Sequence, residues 1–144
     1  MERQNSGKDL EGLLVVTVEQ AVAAPYTSCR LADAGARVIK VERPEGDFAR
    51  NYDSNALGNS AYFVWLNRGK ESIALDLKNN EDFIIFENII SKSDILIQNL
   101  APGAFDRLGL SLDELRKKYP SLITCSISGL ETRVHIKTKK PMIC

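Results

Sequence analysis

The feature that most constrains the fold is the stretch over residues 13–47, in which two apolar runs flank a short helical segment. Residues 13–18 are apolar and largely β-branched, which is typical of a buried strand. Pro25 suits the first turn of a helix that ends near Ala34, and Gly35 suits its left-handed cap. A second strand is predicted over residues 36–41. Strand, helix and parallel strand form a βαβ unit, which indicates an α/β domain with an open, mainly parallel sheet.

The rest of the chain continues this alternation of elements. A polar segment over residues 47–59 predicts a long loop, and such loops in compact domains are often functional. Further along we predict a helix at 61–66 with Phe63 and Trp65 in the core, a turn at 67–70 and a strand at 72–77. An amphipathic helix at 81–92 and a strand at 95–98 follow. Ser111 and Glu114 form the capping box of a last helix that runs to Lys118, and a final strand is predicted at 122–127.

Ligands of open α/β sheets bind beyond the carboxyl ends of the strands, here residues 19–24 and 42–46. The first of these loops contains no glycine, so it departs from the G-x-G-x-x-G pattern and disfavours an NAD or FAD site. Its small residues still allow close approach of a ligand. Arg43, fixed by Pro44, suits stacking on a purine or binding of phosphate, and it equally suits a solvated charge after a strand. These residues alone leave both interpretations open.

Three stretches carry a more specific pattern. They are A-x-P with L-A-D-x-G-A-x-V-I-K-V-E-R-P (residues 23–44), L-N-R-G-K-E-S-I-A-L-D-L-K (residues 66–78) and D-I-L-I-Q-N-L-A-P-G-A-F-D-R-L-G (residues 94–109). Their content and order resemble the class III CoA-transferases, the CaiB/BaiF family of formyl-CoA and carnitine CoA-transferases, over about residues 10 to 130. Residues 19–25 and 47–53 look most like members that act on mesaconate or citramalate.

The resemblance implies a Rossmann-like sheet with flanking helices that corresponds to the N-terminal part of such an enzyme. In the family, an aspartate attacks an acyl-CoA thioester and CoA passes through an aspartyl thioester to a small (di)carboxylate. The family's nucleophile lies beyond the strand that ends here near Gly129, so we assign no catalytic residue and no metal ligand. CoA is the substrate and no cofactor is expected. The matching CoA-binding positions are Gln20, Val22, Ala23, Arg43, Leu75, Lys78, Asn99, Leu100, Ala101 and Arg107.

Composition narrows the partners. The 144 residues carry 19 basic and 19 acidic side chains, which gives no reason to expect nucleic acid or an acidic membrane as a partner. The N-terminus has no apolar signal region and no run is long enough to span a membrane. Cys29, Cys125 and Cys144 have no metal-site spacing, so buried free thiols are favoured over a catalytic pair with His135. We therefore expect a reduced, cytoplasmic protein, and the resemblance implies a homodimer.

We divide the chain into a flexible lead-in (residues 1–11), an α/β domain (12–129) and a divergent basic tail (130–144). After Gly129 the family's glycine-rich turn is absent, and four cations follow Glu131 without an anion. A frameshift, an alternative terminus or a gene-model break explains this change, and a native short basic tail is the alternative. Three hypotheses follow: the CoA-binding part of a truncated CoA-transferase, a non-catalytic CoA- or adenine-nucleotide-binding module, and, disfavoured by the first loop, an NAD-linked oxidoreductase.

Overall fold

The computed structural model describes residues 7–129, whose core is a five-stranded parallel sheet. The strands are β1 (Leu14–Val18), β2 (Arg37–Glu42), β3 (Lys70–Ala74), β4 (Ile95–Gln98) and β5 (Ile123–Ser126). Their order across the sheet is β3-β2-β1-β4-β5. The predicted α/β fold with a parallel sheet is confirmed.

Helices cover both faces of this sheet. They are α1 (Ala23–Asp33), α2 (Ala61–Asn67), α3 (Asn80–Ile90), α4 (Ala104–Arg107) and α5 (Leu112–Lys118), and a 3₁₀ helix spans Phe48–Asn51 inside the predicted long loop. Gly35 adopts a φ of 104° just after α1, as expected of the left-handed cap.

Alternation along β1 explains the two cores. Val16 and Val18 face a cluster with Phe86 of α3 and Leu115 of α5. Val15 faces the opposite cluster, in which Ala24 of α1 packs. Successive side chains of a strand point to opposite faces, so a strand covered on both sides needs apolar residues throughout. This requirement explains why β1 is apolar except for Thr17, whose side chain is buried as well.

The register places the predicted ligand loops at one edge. β1 pairs in parallel with β2 on one side, where Thr17 lies opposite Lys40, and with β4 on the other, where Val18 lies opposite Gln98. The chain therefore leaves three neighbouring strands at the same end of the sheet. The loops that follow, at residues 19–22, 43–47 and 99–103, form the carboxyl edge of the sheet that sequence reasoning selected.

The start of β3 differs from the prediction. The strand begins at Lys70, not at residue 72, because Lys70 already pairs with Val38 of β2, and it ends at Ala74. The segment N-R-G-K resembles a polar turn, and only Gly69, with a φ of 73°, is in the left-handed region there. β3 is an edge strand with mostly exposed side chains, but the Lys70 side chain is only 2% exposed and pairs with Glu19.

Two other local predictions are wrong. Trp65 was expected in the core, yet it is 50% exposed, because Leu66 is the buried residue of the short helix α2. Ser111 stands at the N-cap of α5, but its side chain makes no capping hydrogen bond, so the capping box with Glu114 does not form. The Trp65 error arises because a local pattern does not specify which face of a short helix meets the sheet.

Part of the predicted lead-in packs on the domain. Leu10 contacts the cluster beside α1, and its N–H donates to the Ala34 carbonyl at 3.0 Å. The predicted tail, with His135 and Cys144, lies outside the described residues. Within residues 7–129, Cys29 is a buried free thiol and Cys125 a half-buried one. In the same range the helices are too short or too polar to cross a lipid bilayer.

Candidate functional site at the carboxyl edge of the sheet

The loop after β1 is held in a strained conformation. Ala21 is buried and has a φ of 66°, in the left-handed region that non-glycine residues rarely adopt. The Asn99 side chain fixes the preceding residue from both sides. Its Oδ1 accepts from the Gln20 N–H at 2.9 Å, and its Nδ2 donates to the Gln20 carbonyl at 2.8 Å. The loop is therefore attached to the end of β4.

Asp47 fixes the same loop from the β2 side. Its Oδ1 accepts from the N–H of Ala21 at 3.2 Å and from that of Ala49 at 2.9 Å. Its Oδ2 accepts from Lys40 Nζ at 2.6 Å. The Lys40 and Asp47 side chains are 1% and 0% exposed, so this ion pair is shielded from water. A buried charge is tolerated only when it is paired and hydrogen-bonded, as it is here.

A second buried ion pair continues this arrangement. Lys70 Nζ lies 2.7 Å from Glu19 Oε1, and Ser28 Oγ donates to the same carboxylate. Asn67 Oδ1 accepts from both lysines, at 2.9 Å from Lys40 and 3.1 Å from Lys70. Burial lowers the pKa of Lys70, and the nearby Glu19 carboxylate opposes that shift.

These contacts close on themselves, because Glu19 begins the loop that Asp47 binds. We call this group the buried ring. It consists of Glu19, Ala21, Lys40, Asp47, Asn67 and Lys70.

Glu42 adds a third carboxylate beside the ring. Burial alone raises the pKa of Glu42, but hydrogen bonds from Arg50, Ser72 and the Asp47 N–H outweigh it, with a further contribution from the Lys40 charge, and lower this pKa to about 2. Arg50 binds both carboxylate oxygens, at 3.0 and 2.8 Å, and its guanidinium lies over the Phe63 ring at 3.9 Å. Glu42 is therefore ionised at neutral pH, which favours a fixed strand end.

This pKa predicts a pH dependence of stability. A carboxyl whose pKa falls from about 4.5 to about 2 on folding stabilises the fold above pH 4.5 and loses that contribution as the pH drops toward 2. The contribution is up to about 3 kcal/mol at pH 7. We expect the difference in unfolding free energy between wild type and Glu42→Gln to shrink as the pH falls from about 5 to 3 in urea titrations. A difference that is constant over this range would contradict the assignment, and Glu71→Gln, at an exposed pair, is the control.

A small pocket opens at this edge, with a volume of about 60 Å³. Three of the predicted CoA-binding residues line it, Gln20, Arg43 and Leu100. Arg43 is exposed, and its Nε donates to the Gly46 carbonyl at 3.3 Å, which keeps the guanidinium at the pocket mouth. The remaining lining comes from Val18, Glu19, Val41, Glu42, Gly46 and Asp47. The pocket therefore lies directly on the buried ring.

A second, more open pocket of about 430 Å³ brings together two other predicted residues, Lys78 and Arg107. Both side chains are exposed, and Asn80, Phe83 and Gly109 contribute to the same lining. Two exposed cations that line one pocket are suited to an anionic group such as a phosphate.

The other predicted residues lie in neither pocket. Val22 precedes α1 as its N-cap, and Ala23 is its first residue. Leu75 is 4% exposed and packs in the core, so its side chain faces away from solvent. The Asn99 side-chain amide is hydrogen-bonded to the Gln20 backbone, and Ala101, two residues further on, is exposed. Contact of these residues with CoA stays a prediction.

Sequence reasoning missed the buried ring. One signal was available, because Lys40 stands in the apolar run V-I-K-V of β2. A lysine at a covered strand position requires a buried anion, and Asp47 comes at the start of the following loop. Nothing in the sequence indicated that Asn67 would join the two lysines.

Comparison with known proteins decides the family. The profile of CoA-transferase family III matches residues 10–139. The chain belongs to CoA-transferase family III. This match confirms the resemblance to the class III CoA-transferases that the sequence motifs predicted.

The relatives are named as CoA-transferases for several different carboxylates. The chain is 44% identical to the acetyl-CoA:oxalate CoA-transferase of Acetobacter aceti over 120 residues, which covers 83% of this chain and 31% of the relative. It is 35% identical to the human succinyl-CoA:glutarate CoA-transferase, covering 87% of this chain and 29% of the relative. It is 37% identical to the succinyl-CoA:mesaconate CoA-transferase of Haloarcula hispanica, covering 83% and 32%. The family III chain thus spans about a third of the length of these relatives.

Solved structures agree with the fold. A hypothetical protein of Mycobacterium tuberculosis superposes with a TM-score of 0.86 at 31% identity, covering 94% of this chain and 38% of that one. A CaiB/BaiF family protein of Brucella suis superposes with a TM-score of 0.83 at 36% identity, covering 90% of this chain and 36% of that one.

The described residues contain no group of three or more metal-ligating side chains.

Proposed function

We propose that this family III chain is the CoA-binding part of an acyl-CoA:carboxylate CoA-transferase, which transfers CoA between an acyl-CoA and a small (di)carboxylate. The observation that carries the proposal is the convergence of residues from three separate loops at one edge of the sheet. Gln20, Arg43 and Leu100 are far apart in the sequence and line one pocket. Carboxyl edges of parallel sheets are the usual ligand site of this fold class.

The two pockets suit different parts of a CoA thioester. Arg43 at the mouth of the small pocket is placed for stacking on adenine or for contact with a phosphate. Lys78 and Arg107 supply positive charge for a further phosphate. The relatives act on oxalate, glutarate and mesaconate, so a short dicarboxylate is the proposed acceptor class. Homodimer formation and residence in the cytoplasm belong to the same proposal.

We propose further that the transfer itself requires residues other than those described. Among residues 7–129, Asp47 is the one aspartate that lines the small pocket, and its carboxylate is buried and paired with Lys40. A nucleophile must reach the thioester carbonyl, and a shielded, ion-paired carboxylate cannot do so. Glu19 and Glu42, which also line the pocket, are likewise buried and ion-paired, with Lys70 and Arg50, and this supports the proposal that the attacking group lies elsewhere.

Binding of CoA is testable by calorimetry with the 144-residue chain. We expect Arg43→Gln and Lys78→Gln each to weaken CoA binding by about 10-fold, because hydrogen bonds to charged groups are worth about 1.5–3 kcal/mol. Arg30→Gln is the matched control, since this exposed cation pairs with Asp33 near the opposite end of α1. Equal affinities in all three variants would contradict the proposed site.

The catalytic part of the proposal needs a separate experiment. The 144-residue chain is incubated with succinyl-CoA and oxalate, glutarate or mesaconate, and acyl-CoA products are separated by chromatography. We expect no transfer above the uncatalysed background, because the pocket has no accessible carboxylate nucleophile. Robust transfer would show that a nucleophile is present and misassigned.

A second function remains in view, a module that holds CoA or an adenine nucleotide without chemistry. It is favoured by the pairing of Asp47 with Lys40, because a pocket whose aspartate is already ion-paired can bind a ligand without reacting with it. Adding the polypeptide that a full-length relative possesses beyond this region distinguishes the two. Restored transfer supports the CoA-transferase, and unchanged binding without transfer supports the module.

A further inference from the structure

The loop after β1 contains a non-glycine residue, Ala21, in a left-handed backbone conformation. Ala21 adopts the left-handed conformation at a φ of 66° and is fully buried. An L-residue with a Cβ leaves this conformation unless its surroundings determine it. The neighbouring Gln20 lines the small pocket, so the shape of this loop decides where the Gln20 amide is presented.

The buried ring supplies what the loop requires. Asp47 Oδ1 accepts from the Ala21 N–H, so the strained residue is held directly. Asp47 is held in turn by the shielded Lys40, whose second partner is Asn67. Asn67 also binds Lys70, and Lys70 binds Glu19 at the start of the loop. The loop is thus held at its first residue and at its strained residue by one set of side chains.

We propose that Asp47, braced by Lys40, is a positioning residue that holds the loop at residues 19–22 in the conformation that binds CoA. It acts through the backbone of Ala21, since its carboxylate oxygens already accept hydrogen bonds from Ala21, Ala49 and Lys40. The role in binding rests on the proposed function, whereas the role in holding the loop does not.

The test uses the variant Lys40→Met/Asp47→Leu in the full 144-residue chain. It removes the acceptor without leaving an unpaired buried charge, and such apolar replacements of buried ion pairs often preserve stability. We expect the variant to remain folded by circular dichroism and to bind CoA about 10-fold more weakly, because one loop-holding hydrogen bond is lost. Glu71→Gln, at an exposed pair on β3, is the control and should bind as wild type.

A rescue separates positioning from general destabilisation. Glycine adopts a positive φ without steric penalty, so Ala21→Gly added to the double variant should recover most of the lost affinity. A weakened core would not recover in this way. Wild-type affinity in the folded double variant, or a loss that glycine leaves unchanged, would overturn the proposal.

Amide hydrogen exchange of wild type gives a readout that needs neither CoA nor a folded variant. The Ala21 N–H should exchange as slowly as the amides of β1, because its acceptor is buried. Exchange as fast as that of exposed loop amides would overturn the positioning role. If wild type fails to bind CoA while Ala21 is protected, the proposed function fails and the loop-holding role of Asp47 stands.

Discussion

Replacing Lys40 with methionine alone should strongly destabilise the chain at neutral pH. The substitution leaves the Asp47 carboxylate buried without its cation, and breaking a buried pair in this way costs about 3–5 kcal/mol. The total stability of a domain is only about 5–15 kcal/mol, so this loss consumes much of it. Urea denaturation followed by circular dichroism at pH 7 measures the effect.

An exposed ion pair provides the comparison. Arg37 and Glu71 are 63% and 58% exposed, and such surface pairs contribute little to stability because water and salt screen them. Arg37→Met should therefore shift the midpoint only slightly, and Lys40→Met/Asp47→Leu should recover most of the stability lost in Lys40→Met. Equal, small effects of Lys40→Met and Arg37→Met would contradict the description of the buried ring.

The 144-residue chain by itself is expected to associate or to bind hydrophobic dyes. Its described surface carries a row of aromatic rings in edge or tilted contact, Tyr52, Tyr62, Trp65 and Tyr26, each about half exposed. Ile84 on α3 and Ile123 on the edge strand β5 are exposed as well. Leaving even ~200 Å² of apolar surface in water forgoes about 5 kcal/mol at roughly 25 cal/mol per Å². Size exclusion and dye fluorescence at increasing protein concentration measure the association.

Substitution within the aromatic row tests the cause. Tyr62→Gln/Trp65→Gln should reduce dye binding and shift the elution toward the monomer, because it removes two of the four rings. Glu114→Gln/Arg116→Gln on α5 changes exposed polar side chains and should have no such effect. A clean monomer of wild type with a sharp, reversible thermal transition would contradict this prediction.

Elements with a strong apolar pattern were predictable from the sequence. Residues 95–98 were predicted as a strand and form β4 at the same bounds, because a short apolar run between turn residues has few alternatives. Gly35 was predicted as the cap of α1 and has the required positive φ. In both cases the neighbouring residues determine the local structure, so it could be predicted without knowledge of distant contacts.

The errors lie where distant contacts decide. The start of β3 depends on Lys70, whose charge is neutralised by Glu19 from another strand end. The exposure of Trp65 depends on how α2 is rotated on the sheet, and only Leu66 of that helix is buried. Neither the partner of a charge nor the rotation of a short helix is encoded in a local pattern.

The candidate site divides in the same way. The family resemblance indicated Gln20, Arg43 and Leu100, and the parallel register of β1, β2 and β4 explains why they meet in one pocket. Asn99 was predicted to contact CoA, and in the structure its amide holds the Gln20 backbone. The resemblance identified the residues, but only the three-dimensional structure distinguishes a residue that lines a pocket from one that supports it.

Titration of CoA into the isotope-labelled chain, followed by amide chemical shifts, tests whether CoA binds at the carboxyl edge of the sheet. We expect the largest shifts in the loops that form this edge, at residues 19–22, 43–47 and 99–103, with further shifts around Lys78 and Arg107. Amides at the opposite edge, near Gly35 and Asp94, should stay unchanged. Shifts confined to that opposite edge, or no shifts at millimolar CoA, would contradict binding at the carboxyl edge.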